Sequence, residues 1–100
     1  MSSSLPFAAV TDADGDYSPH CVCFSVQARA EPGVMPRVTE LFAKRGLVPQ
    51  KWHSTVSGSL LAIDVQIDGL GRGLCDYIAR CMRQIVGVES VLTSETRRSV

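Results

Sequence analysis

AEPGVMPRVTELFAKRG, Ala30 to Gly46, is the stretch whose reading decides the fold. Pro32-Gly33 is a turn signal, and Val34, Val38, Leu41 and Phe42 recur at helical spacing. Pro36 is tolerable because it falls in the first turn, where its missing N–H would have no intrahelical acceptor. Lys44 and Arg45 followed by Gly46 spell a helix C-terminus: cations in the last turn, then a glycine stop. Glu40 and Lys44 are spaced for an i,i+4 ion pair on the opposite face, with Arg37 one turn earlier. The stretch therefore predicts the end of a strand, a turn, and an amphipathic helix with both ends marked.

Upstream, HCVCFSVQA (His20 to Ala28) alternates, with Val22, Phe24, Val26 and Ala28 on one face and Cys21, Cys23, Ser25 and Gln27 on the other. That is a strand with one side in a core. Downstream, LVPQKWHSTVS (Leu47 to Ser57) reads as a poorer strand, which Pro49 assigns to a sheet edge. Ser57-Gly58-Ser59 turns the chain into LLAIDVQID (Leu60 to Asp68), whose Leu61, Ile63, Val65 and Ile67 share a face; the pair predicts a hairpin. After the glycine-rich break Gly69 to Gly73, a second helix is predicted. Its inner stripe is Leu74, Ile78, Cys81 and Ile85, flanked by Tyr77 and Met82, with Asp76 and Arg80 paired on the wet side. Gly87 ends it, and Val88 to Thr93 makes a last short strand.

The order is βαββαβ. The predicted fold class is α+β, ferredoxin-like: a four-stranded antiparallel sheet with two helices on one face. The first and third strands are the most apolar and belong in its centre. Residues 1–19 read as a flexible N-terminal leader, 20–95 as the domain, and 96–100 as a frayed tail.

One hundred residues make one domain, and ten basic residues balance ten acidic ones. That balance argues against a nucleic-acid or anionic-membrane partner, either of which calls for excess cations. The apolar runs are too short to span a bilayer, and no Lys or Arg precedes Arg29 to make a secretory signal. The expectation is a cytoplasmic protein with its four cysteines reduced.

Candidate chemistry converges on the loop from Arg29 to Gly33. A helix N-terminus offers unpaired N–H groups and partial positive charge, and Gly33 has no side chain to block a carboxylate or phosphate. The alternative is that Pro32-Gly33 only makes the turn. Other readings of the same fold fit less well. The loop lacks the Cys pair of a heavy-metal carrier. Ala62, Asp64 and Gln66 offer RNA bases nothing to stack on. An acylphosphatase-like enzyme wants an asparagine beside its loop arginine, and the chain contains no Asn.

Asp12, Asp14 and Asp16 alternate like the opening of a calcium loop, but Tyr17 and Cys23 stand where its glycine and closing glutamate belong. A soft-metal set could be drawn from Cys21, Cys23, His20 and His53, although Cys-x-Cys on a strand is not a structural-zinc spacing. The glycines at 69, 71 and 73 fall short of a dinucleotide fingerprint because Leu74 occupies the last position. No spacing argues for a nucleophile, a metal or a cofactor, so no catalysis is expected. Trp52 on the edge strand is a candidate interface residue, the alternative being half-buried packing at the sheet edge.

The strand, EPGVMPRVTELFAKRGLVPQKW, the hairpin and the helix ending before VGVESV together resemble an ACT domain, most nearly the small regulatory subunit of acetolactate synthase. Gly33, Met35, Arg37, Val38, Leu41, Phe42, Arg45 and Gly46 occupy the places of that family's helix pattern, and Val86-Gly87-Val88 with Val91 matches its ending. Ala30 stands where the family often has Asp or Asn, with Glu31 beside it. The resemblance implies a non-catalytic domain that pairs side by side with a second copy and binds an amino acid at the interface. The implied contact residues are Ala30, Glu31, Pro32, Gly33, Val34 and Met35. A catalytic large subunit is the implied protein partner; the alternative is a ligand-free interaction subunit.

Overall fold

A computed structural model describes residues 20–97, and there the chain folds as expected. The element order is β1 (His20–Arg29), α1 (Val34–Ala43), β2 (Lys51–Ser57), β3 (Leu60–Asp68), α2 (Arg72–Arg83) and β4 (Val88–Arg97). The strands form one antiparallel sheet in the order β2-β3-β1-β4, with β1 and β3 central and β2 at an edge. The leader and its acidic triplet lie outside the described residues, as do residues 98–100 of the tail.

The core follows from the alternation. Val22, Phe24, Val26 and Ala28 of β1 are buried with Leu61, Ile63, Val65 and Ile67 of β3, and Val34, Val38 and Phe42 of α1 pack over them. Phe42 meets Phe24 edge to face, with ring centroids 5.7 Å apart and planes at 71°. The glycine stop of α1 is a two-bond closure. Gly46, at φ 69°, donates to the Ala43 carbonyl (3.0 Å), and Leu47 donates to the Phe42 carbonyl (3.0 Å).

Four expectations are corrected. The second strand begins at Lys51, not Leu47, because the closure of α1 and Pro49 hold residues 47–50 outside the ladder. The inner stripe of α2 is Cys75, Ile78, Ala79 and Met82; Leu74, Cys81 and Ile85 are only partly covered, and Tyr77 is exposed. The last strand continues past Thr93 to Arg97, because Thr96 and Arg97 pair with Cys21 and His20. Neither Glu40–Lys44 nor Asp76–Arg80 closes to salt-bridge distance, as expected of exposed helix pairs worth only a few tenths of a kcal/mol.

Cys75 sits in the core beneath α2. Burial pushes its thiol pKa above the ordinary 9.0, and the charges of Asp76 and Glu95 add in the same direction. A pKa raised in the folded state means that stability is fully present below the unfolded value and is lost as pH rises from there through the folded value. Thermal melting should therefore show an alkaline loss above about pH 9 that is shallower in Cys75→Ala. Parallel curves for the two proteins would refute the assignment.

Candidate functional site

Where β1 hands over to α1, the loop is tied down on both sides. Arg29 donates its backbone N–H to the Gly87 carbonyl (2.8 Å), and Ala30 donates to the Ser59 carbonyl (2.9 Å). These bonds pin the loop between the β2–β3 turn and the start of β4. The turn itself closes through Glu31 N–H to the Arg29 carbonyl (2.8 Å) and Val34 N–H to the Glu31 carbonyl (3.2 Å). Arg29 Nε also pairs with Glu31 Oε2 at 3.1 Å, both side chains remaining about half exposed, so the pair adds little stability.

Gly87, at φ 100°, lies against this loop from the other side. A Cβ there would stand 3.0 Å from Val34 Cγ2 and 3.1 Å from Glu31 Oε1, so its bareness admits both side chains.

Gly33 is required for a different reason. Its backbone is ordinary right-handed helix, φ −80° and ψ −10°. The place of its absent Cβ is filled by Arg37 Nη1, which donates to the Gly33 carbonyl (2.9 Å). Glycine here makes room for a guanidinium. The helix end has no side-chain cap and no acid in its first turn. Val34 N–H is already used and Pro36 has none, which leaves the amides of Gly33 and Met35 as its donors.

These features meet in an open cleft of about 550 Å³ lined by Glu31, Pro32, Gly33, Val34, Arg37 and Val86. Four of the expected site residues line it: Glu31, Pro32, Gly33 and Val34. Ala30 contributes to its support through the backbone, and Met35 lies outside its lining. Sequence reading missed Arg37 and Val86. Arg37 had a signal, since it stands one helical turn after Gly33. Val86, 78% exposed, enters from more than fifty residues away and had none.

Trp52 stands apart, half-buried, in an apolar recess of about 310 Å³ with Phe42, Leu47, Val48 and Pro49. The sheet face that the helices leave bare carries a third cleft with Cys23, Lys51, His53 and Asp64, where Ser25 Oγ donates to Asp64 Oδ1 at 3.0 Å. The soft-metal set does not assemble. His20 turns to the Leu70 carbonyl (3.1 Å), and among the described residues no three His, Cys, Asp or Glu side chains come together in a way that could hold a metal ion. No helix of the described residues is long and apolar enough to cross a membrane.

The strand order and the two helices define the ferredoxin-like, split βαβ class, with this cleft where a loop meets a helix end. Residues 16–100 match the description "ACT-like domain", and the chain belongs to that family, whose members are typically regulatory and generally non-catalytic. None of the curated proteins compared with it matches in sequence.

Solved structures share the fold. The ACT domain of GTP pyrophosphokinase from Chlorobium tepidum superposes with a TM-score of 0.68 at 10% identity, covering 77% of this chain and all of that one. The C-terminal domain of MgtC from Mycobacterium tuberculosis gives 0.66 at 11% identity, over 82% of this chain and 93% of that one. The regulatory subunit of aspartate kinase from Thermus thermophilus gives 0.55 at 13% identity, over 78% of this chain and 52% of that one.

Proposed function

We propose that this ACT-like domain is a non-catalytic regulatory module that binds a small amino acid in the Glu31–Arg37 cleft. In this reading two copies pair side by side with the effector at their interface, and the assembly controls a metabolic enzyme such as acetolactate synthase through its catalytic large subunit. The observation that carries the proposal is that one cleft is lined by both a carboxylate and a guanidinium at a helix N-terminus. Arg37 and the free amides of the helix end suit an α-carboxylate, and Glu31 suits an ammonium group. Val34 and Val86 supply apolar wall for a small side chain. Glu31 thereby takes the part that Ala30 cannot. The regulatory role draws further support from relatives described as an aspartate kinase regulatory subunit and a domain of GTP pyrophosphokinase.

Calorimetry against the branched-chain and other amino acids is the test. Saturable heat is expected for at least one, with a melting temperature that rises with concentration; saturation a hundredfold above Kd adds about 2.7 kcal/mol. No heat and no melting shift at millimolar ligand would end the proposal.

A second reading, a ligand-free interaction subunit, is favoured by one observation. Every residue of edge strand β2 except Trp52 is exposed, which presents an unpaired strand edge to a partner. Co-purification of a catalytic subunit unaffected by any amino acid would select it.

A further inference from the structure

The formal charge of zero conceals an uneven distribution. Between Val34 and Arg45 and between Arg72 and Arg83, the helical layer carries six basic residues against two acids, Glu40 and Asp76. Two of these cations lie over one ring. Tyr77 is 41% exposed on the outer side of α2. The Arg45 guanidinium lies 4.7 Å from its ring centroid and that of Arg80 lies 5.7 Å from it. Neither arginine forms an ion pair with a described acid; Arg45 has only a long bond to the Leu41 carbonyl, at 3.4 Å. Asp76 adjoins Tyr77 in sequence yet does not pair with Arg80.

Two like charges held on one exposed ring repel each other, weakly in water and more as water is displaced. A bound carboxylate relieves that repulsion. The ring keeps both guanidinium groups close by, and the planar fork of a guanidinium is what grips a carboxylate through two parallel hydrogen bonds.

We infer that Arg45, Tyr77 and Arg80 form a docking site for an acidic polypeptide segment of a partner protein. Tyr and Arg are the residues in which interface binding energy concentrates. A nucleic acid fits less well. The bare sheet face beyond the helices sets Asp64 beside Lys51, so the excess of cations belongs to the helical layer rather than running around the domain. This site is separate from the Glu31–Arg37 cleft, and its test is run with no amino acid present.

The full-length protein, isotopically labelled, is titrated with a short poly-glutamate peptide and followed by NMR. Saturable shifts are expected at Arg45, Tyr77 and Arg80, weakening as salt is raised. The combined Arg45→Gln and Arg80→Gln variant should lose roughly tenfold or more in affinity while melting as the parent does. Lys51→Gln, on the opposite sheet face, should bind as the parent does. Shifts that spread equally to Lys51, or none at all, overturn the inference. So does inorganic phosphate that saturates the same residues as tightly as the peptide, since the site would then be one for small anions. Binding that appears only after Asp12→Asn, Asp14→Asn and Asp16→Asn would overturn it as well, by making the chain's own acidic segment the occupant.

Discussion

Phe42→Ala is expected to remove most of the stability of this domain. The side chain is 1% exposed, and its ring meets Phe24 edge to face from the helix onto the central strand. Truncating a buried phenylalanine costs about 3–5 kcal/mol, the transfer term plus the cavity left behind. A domain of this size has only about 5–15 kcal/mol in total. Phe42 also forms a wall of the recess beside Trp52, so its truncation would open the core toward that recess. Urea denaturation should show the midpoint fall sharply at an unchanged slope, and the melting temperature should drop by about 20 °C. Val56→Ala, on the exposed edge strand, serves as the control and should stay within about 0.5 kcal/mol of the parent. A loss below about 1 kcal/mol at Phe42 would mean that α1 is not seated on the sheet as described.

The strands that build this core were legible because alternation leaves little freedom. A register slip by one residue in HCVCFSVQA or LLAIDVQID would turn four apolar side chains into water, so the buried face can be read directly. The edge place of β2 was read from Pro49, but Pro49 lies just before the strand, where it delays the start of β2 rather than fixing its place in the sheet. Helix α2 was harder. Residues 74, 75, 78, 81 and 82, with 85 just beyond its end, are all apolar or cysteine, so the arc is wider than the face one sheet can cover, and two stripes compete. Small Ala79 won an inner place, while Tyr77, the larger apolar body, went outward to its two arginines. The cleft was half legible. A turn followed by a helix start locates it, but its basic wall lies one turn further along, and Val86 reaches it only through the sheet closing β4 against β1.

In the amino-acid reading, Gly33→Asp is the substitution that separates binding from folding. A glycine kept for its backbone could not be replaced cheaply, but φ −80° and ψ −10° suit any residue. The new Cβ would meet only the Arg37 guanidinium, the far end of a flexible side chain that has solvent to turn into. The charge of an aspartate also favours the helix N-terminus by about 0.3–1 kcal/mol. The melting temperature should therefore hold or rise slightly. Binding should not survive. The new carboxylate would take Arg37 and the helix-end amides, the groups assigned to the α-carboxylate of the effector, and would repel that carboxylate as well. Losing a charge-assisted pair and gaining a like charge at close range each cost about 1.5–3 kcal/mol, which together weaken affinity by at least about a hundredfold. Calorimetry with the effector found for the parent protein reads this loss directly. Gly33→Ala isolates the steric part, since it displaces the same guanidinium without adding charge, and should fall between the two. An aspartate variant that melts like the parent and still binds would remove Arg37 and the helix end from the site, and the cleft would lose its claim to an amino acid.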